Sequence, residues 1–70
     1  MNAKTIAKQI TTRREALGMT QATAAQAAGM PAPNWNTLER PDQGPGRNPT
    51  MRTLSRVAKV LQCTMADLIA

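Results

Sequence analysis

Seventy residues of which 41% are hydrophobic, with a single aromatic side chain, allow one small domain, expected over residues 1–70. Its core has to come from Ile, Leu, Val, Met and Ala, a composition that favours an all-α bundle and argues against a strand-built domain. Nine Lys and Arg against four Asp and Glu give a formal charge of +5, the footprint of a nucleic-acid partner or of a plain basic surface, while one Cys and no His exclude a disulfide within the chain and a zinc site.

After a polar start over residues 1–4, Ile6, Ile10 and Leu17 fall on one face of a first helix, with Ala3 and Ala7 nearby. Arg13 and Arg14 suit the negative end of its dipole, and Gly18 closes it. Thr20 stands where an N-cap belongs, ahead of a second helix of about residues 21–28. Its inward positions are alanines (24, 25 and 28), and Met19 and Met30 flank it as flexible filler. Gly29 ends this helix, since glycine takes a left-handed conformation at little cost.

A third helix, about residues 32–39, is pinned at its start by Pro31 and Pro33, because the first turn has amides with no helical partner. Trp35 and Leu38 share its core-facing side, so Trp35 is read as packing and not as a stacking platform. Two short helices with a glycine turn between them fit a helix-turn-helix. Pro41 must end the third helix, and RPDQGPGRNP (residues 40–49) is a loop inside the domain. Thr50 caps a fourth helix with an apolar stripe of Met51, Leu54, Val57, Ala58 and Leu61, and with Arg52, Arg56 and Lys59 on its other side. Thr64 and Asp67 are spaced as a capping box for a short fifth helix bearing Met65, Leu68 and Ile69.

In this order the parts resemble the lambda-repressor-like helix-turn-helix family, the Cro/CI type of phage repressors and small bacterial regulators. The resemblance covers residues 6–69, and its markers are RREALGMTQ, AAGM, the terminal LE of the third helix, RNP, and LSRVAKVLQCTMADLI. None is specific alone; their order and spacing carry the resemblance. It implies an all-α, five-helix DNA-binding domain whose second helix crosses the DNA backbone and whose third enters the major groove.

By position, the resemblance makes Gln21 a phosphate contact, which the amide-rich start of a helix supports physically. It assigns base reading to Ala32, Pro33, Asn34, Asn36 and Thr37. Asn can bond adenine in bidentate fashion, and Thr or Ala can touch a thymine methyl. Ala32 and Pro33 depart from the long polar side chains frequent at these slots, which shifts reading toward Asn34, Asn36 and Thr37 or toward DNA shape. Arg14 and Glu39 match a structural ion pair; breaking it costs about 3–5 kcal/mol if it is buried. The same loss is below about 1 kcal/mol if both groups are exposed.

Arg47 and Asn48 resemble residues that approach the phosphates beside the third helix. Their loop is roughly four residues longer than the commonest family spacing, at a closure cost of only about half a kcal/mol. Gln62 stands where a helix-ending glycine is frequent, and Cys63 where a core valine is. Cys63 is read as a small buried hydrophobe.

The expected function is that of a sequence-specific DNA-binding transcriptional regulator, a repressor, acting as a homodimer on a palindromic operator. With no second domain expected, such a dimer has to use the last helix and the loop before the fourth. The alternative is an antitoxin-like module that binds a partner protein, supported if Met51, Met65, Leu68 or Ile69 form an exposed apolar patch. Enzymatic function is not expected: there is no histidine base, the only acids are Glu15, Glu39, Asp42 and Asp67, and no glycine-rich phosphate loop follows a strand. No cofactor, metal or membrane partner is expected, and the reading of the chain is cytoplasmic.

Overall fold

The computed structural model describes residues 3–40 and 50–69, with Ala3 described by its backbone alone. Five helices follow one another and no strand occurs among the described residues: α1 (Ala3–Ala16), α2 (Gln21–Ala27), α3 (Ala32–Glu39), α4 (Met51–Val60) and α5 (Met65–Ile69). α3 packs against α2 and α1, and α5 packs against α1 and α4. The fold is all-α, with the helix-turn-helix formed by α2 and α3.

One core joins all five helices. Ile6 and Ile10 enter it from α1, Ala24 and Ala25 from α2, Trp35 from α3, Leu54, Val57 and Ala58 from α4, and Leu68 from α5. Trp35 is the largest fully buried side chain. The alanines of α2 contribute little area each but leave room for the indole, while Met19, Met30 and Met65 pack against the cluster from its edge.

Side chains cap three of the helices. The hydroxyls of Thr20 and Thr50 accept from the amides of Thr23 and Thr53, each at 3.1 Å. At α5 the capping box is reciprocal: the Asp67 amide donates to Thr64 Oγ1 at 3.1 Å, and the Thr64 amide donates to Asp67 Oδ2 at 3.0 Å. That amide bond and the Thr64 hydroxyl hold the Asp67 carboxyl below the usual range. α3 has no side-chain cap; Pro31 takes the position, and the Asn34 amide turns back to the Pro31 carbonyl at 3.0 Å.

Three helices end in one way. After α1, α2 and α4 the chain places Gly18 (φ 71°), Gly29 (φ 72°) and Gln62 (φ 57°) in the left-handed region. The next residue then donates its amide back into the last turn: Met19 to Arg14, Met30 to Ala25 and Cys63 to Ala58. Gln62 makes this turn without a glycine, at a conformational cost of roughly 1–2 kcal/mol. Gln62→Gly is therefore expected to raise stability by about 0.5–1 kcal/mol, the relief of strain being partly offset by the freer unfolded chain. A rise of several degrees in Tm is the measurement that checks it.

Three expectations change. α1 begins at Ala3, inside the stretch read as a polar start, and ends at Ala16. Leu17 therefore lies in the turn toward Gly18 and is 41% exposed, outside the core it was assigned to. Met51, in the first turn of α4, is 58% exposed, because the stripe meets the core only from Leu54 onward. Cys63 is half-buried against the core, and burial pushes its thiol pKa up although Arg13 pulls it down.

Candidate nucleic-acid interface

α3 divides cleanly into an inner and an outer side. Successive residues of a helix are turned by about 100°, so Trp35 and Leu38 share one side with Glu39. Trp35 is fully buried and Leu38 packs against the core. Pro33, Asn34, Asn36 and Thr37 are exposed, whereas Ala32 is half-buried and turned partly toward the core. The Thr37 hydroxyl donates to the Pro33 carbonyl at 3.0 Å, a bond within the helix.

What holds that helix in place is Glu39. Its carboxylate accepts from four side chains on three helices. Arg14 donates through Nε to Oε2 at 2.7 Å and through its second terminal nitrogen to Oε1 at 3.1 Å, a two-pronged pairing. Thr11 Oγ1 donates to Oε1 at 2.9 Å and Gln21 Nε2 to the same oxygen at 3.0 Å. Trp35 Nε1, one turn earlier on α3, donates to Oε2. Arg14 also reaches the Met19 carbonyl at 2.8 Å, in the turn that leads into α2. The side chains of Arg14 and Glu39 are 12% and 4% exposed, so these bonds work away from bulk water.

The acid sits at the negative end of its own helix, which disfavours the charge. Burial also pushes the Glu39 pKa up, but the bonds from Arg14, Gln21, Trp35 and Thr11 outweigh it and hold the carboxyl below its ordinary value. The bond to Glu39 likewise raises the Arg14 pKa. Because the folded state lowers the Glu39 pKa, its contribution is full above the unfolded value and fades as pH falls through the folded one. Unfolding midpoints in urea should hold steady from pH 7 down to about 5 and drop below about pH 4. In Glu39→Gln that acid-side drop should be smaller.

The sequence-predicted residues separate into groups. Arg14, Gln21 and Glu39 meet in this network, and Asn34, Asn36 and Thr37 share the solvent side of α3 with Pro33. Arg47 and Asn48 lie outside the described residues. Gln21 is half-buried, its amide engaged with Glu39 and not merely solvated. The sequence reading did not include Thr11, or Trp35 as a donor. The four-residue spacing of Trp35 and Glu39 on one helix was the available signal; the link from Thr11 is made only by tertiary packing. Among the described residues no cluster of His, Cys, Asp or Glu could hold a metal ion, and no helix is long and apolar enough to cross a membrane.

A family model described as a helix-turn-helix domain matches residues 6–70. No significant match was found among curated proteins or among solved structures. The family implies DNA binding and is typically non-enzymatic. With five helices in sequence, α2 and α3 forming the motif, and the model spanning nearly the whole length, the chain belongs to the helix-turn-helix domain family of the Cro/C1, XRE-like type.

Proposed function

We propose that this chain is a sequence-specific DNA-binding transcriptional regulator that represses by occupying its operator. The observation that carries the reading is the pairing of a firmly held inner side of α3 with an outer side that is open to solvent. Trp35 and Glu39 tie the helix to α1 and α2, while Asn34, Asn36 and Thr37 stand in solvent. A recognition helix needs that combination, because base contacts discriminate only when the side chains are presented at fixed positions.

In this reading α3 enters the major groove, Asn34 and Asn36 bond base edges, and Pro33, Thr37 and Ala32 make apolar contacts. Gln21 contacts a phosphate: its amide nitrogen has a second hydrogen besides the one given to Glu39, so it can grip the backbone and the α3 anchor together. Arg47 and Asn48 approach neighbouring phosphates. One short helix discriminates little, so the chain binds a palindrome as a homodimer.

The alternative, a protein-interaction module, has only partial support: Leu68 is fully buried and Met65 packs against the core, while Met51 and Ile69 are exposed.

A binding selection on random duplex DNA tests the proposal, with the salt dependence measured on the enriched sequence. An enriched motif and a log–log salt slope on the order of −3 to −5 per monomer are expected. No motif together with a flat slope would sink the regulator reading.

A further inference from the structure

We infer that α3 reads A·T base pairs, with Pro33 and Thr37 packed against thymine methyl groups and Asn36 bonded to adenine. This rests on the proposed placement of α3 in the major groove. At about 100° per residue, Pro33 and Thr37 lie most nearly opposite the buried indole of Trp35, at the centre of the outer side. Asn36 flanks them, also exposed.

That centre has almost nothing to donate. Proline has no amide hydrogen and a ring of carbon atoms. The hydroxyl hydrogen of Thr37 already goes to the Pro33 carbonyl at 3.0 Å, leaving the side chain a methyl group and a lone pair. In the major groove guanine is read most often by Arg or Lys bonding O6 and N7, and cytosine by a carboxylate accepting from N4. No Lys or Arg occurs in Ala32–Glu39, and the one acid there, Glu39, is turned inward onto Arg14. Arg40 stands past the last turn as the C-cap, roughly 10 Å along the axis from Pro33, away from the N-terminal residues that contact base edges in this motif. Among the four base pairs, the thymine methyl is the feature a donor-free carbon surface distinguishes. The carboxamide of Asn36 supplies the matching pair of bonds to adenine N6 and N7.

The test starts from the duplex enriched by selection with the full chain. A·T pairs are expected at the positions facing α3, and replacing thymine there by uracil, which removes only the C5 methyl, should weaken binding roughly fourfold at one position. Thr37→Ser, which keeps the hydroxyl and loses the methyl, should bind the thymine duplex roughly fourfold more weakly and no longer distinguish uracil. Thr37→Val keeps the methyl and should distinguish uracil as the unmodified protein does. Enrichment of G·C pairs at those positions, equal binding of the uracil and thymine duplexes, or undiminished discrimination by Thr37→Ser would each overturn the inference while leaving DNA binding intact. Failure to bind any duplex at low salt would overturn the groove placement itself, and this inference with it.

Discussion

Replacing Glu39 by alanine is expected to cost up to about 3–5 kcal/mol of folding stability, because it leaves the half-buried Arg14 without its partner and removes the acceptor for Thr11, Gln21 and Trp35 together. A 70-residue domain holds roughly 3–10 kcal/mol in all, so the variant should be partly unfolded at 37 °C. Glu39→Gln keeps the shape and one acceptor oxygen and should lose less. Urea unfolding followed by fluorescence is well suited, since Trp35 is the one aromatic and touches the site of change. Arg14→Ala should also be costly, but the double variant should cost less than the sum of the two, because neither charge is then left without its partner. Strict additivity would mean that the two residues do not act on each other.

Removing Trp35 should be at least as damaging. Trp→Ala in a core costs about 3–5 kcal/mol through lost burial and the cavity left behind. Here it also takes a donor from Glu39, so the loss should reach the top of that range and dissolve the packing of α3. Trp35→Phe separates the two contributions. It keeps most of the ring volume and loses the indole N–H, for which about 1–3 kcal/mol is expected, as for other bonds to a charged acceptor. With the fluorophore gone, circular dichroism follows the transition. A Trp35→Phe variant as damaged as Trp35→Ala would assign the whole effect to the hydrogen bond.

The fold was legible because its punctuation is local. Gly18, Gly29, the Pro31–Pro33 pair and the threonines at 20, 50 and 64 mark helix ends through backbone chemistry that needs no tertiary partner, and α3 runs Ala32–Glu39 as the prolines indicated. Leu17 misled for a related reason. Periodicity alone extended α1 by one residue, whereas Gly18 in its left-handed conformation turns the chain at Leu17 and carries that side chain out of the core. Met51 misled because a stripe on one helix says nothing of where the neighbouring helix begins.

The candidate site was legible only in part. The outer side of α3 follows from helix geometry once Trp35 is placed inward. Trp35 is related to Glu39 by its four-residue helical spacing, but Thr11, Arg14 and Gln21 reach the same carboxylate from up to 28 residues away, which no spacing rule relates. Resemblance pointed to Arg14 and Glu39. It gave no reason to expect that the glutamine at the start of α2 would also be tied to the anchor of α3.

The central claim is that Glu39 and Trp35 fix α3 so that its outer side meets the DNA. Backbone and side-chain amide NMR shifts, recorded while the selected duplex is titrated into the isotope-labelled chain, test this directly. Saturable changes are expected at Gln21, Asn34, Asn36 and Thr37, including the side-chain amides of Gln21, Asn34 and Asn36, and weakened by added salt. Changes gathered instead around Leu17, Met51 and Ile69, with α3 unmoved, would contradict it.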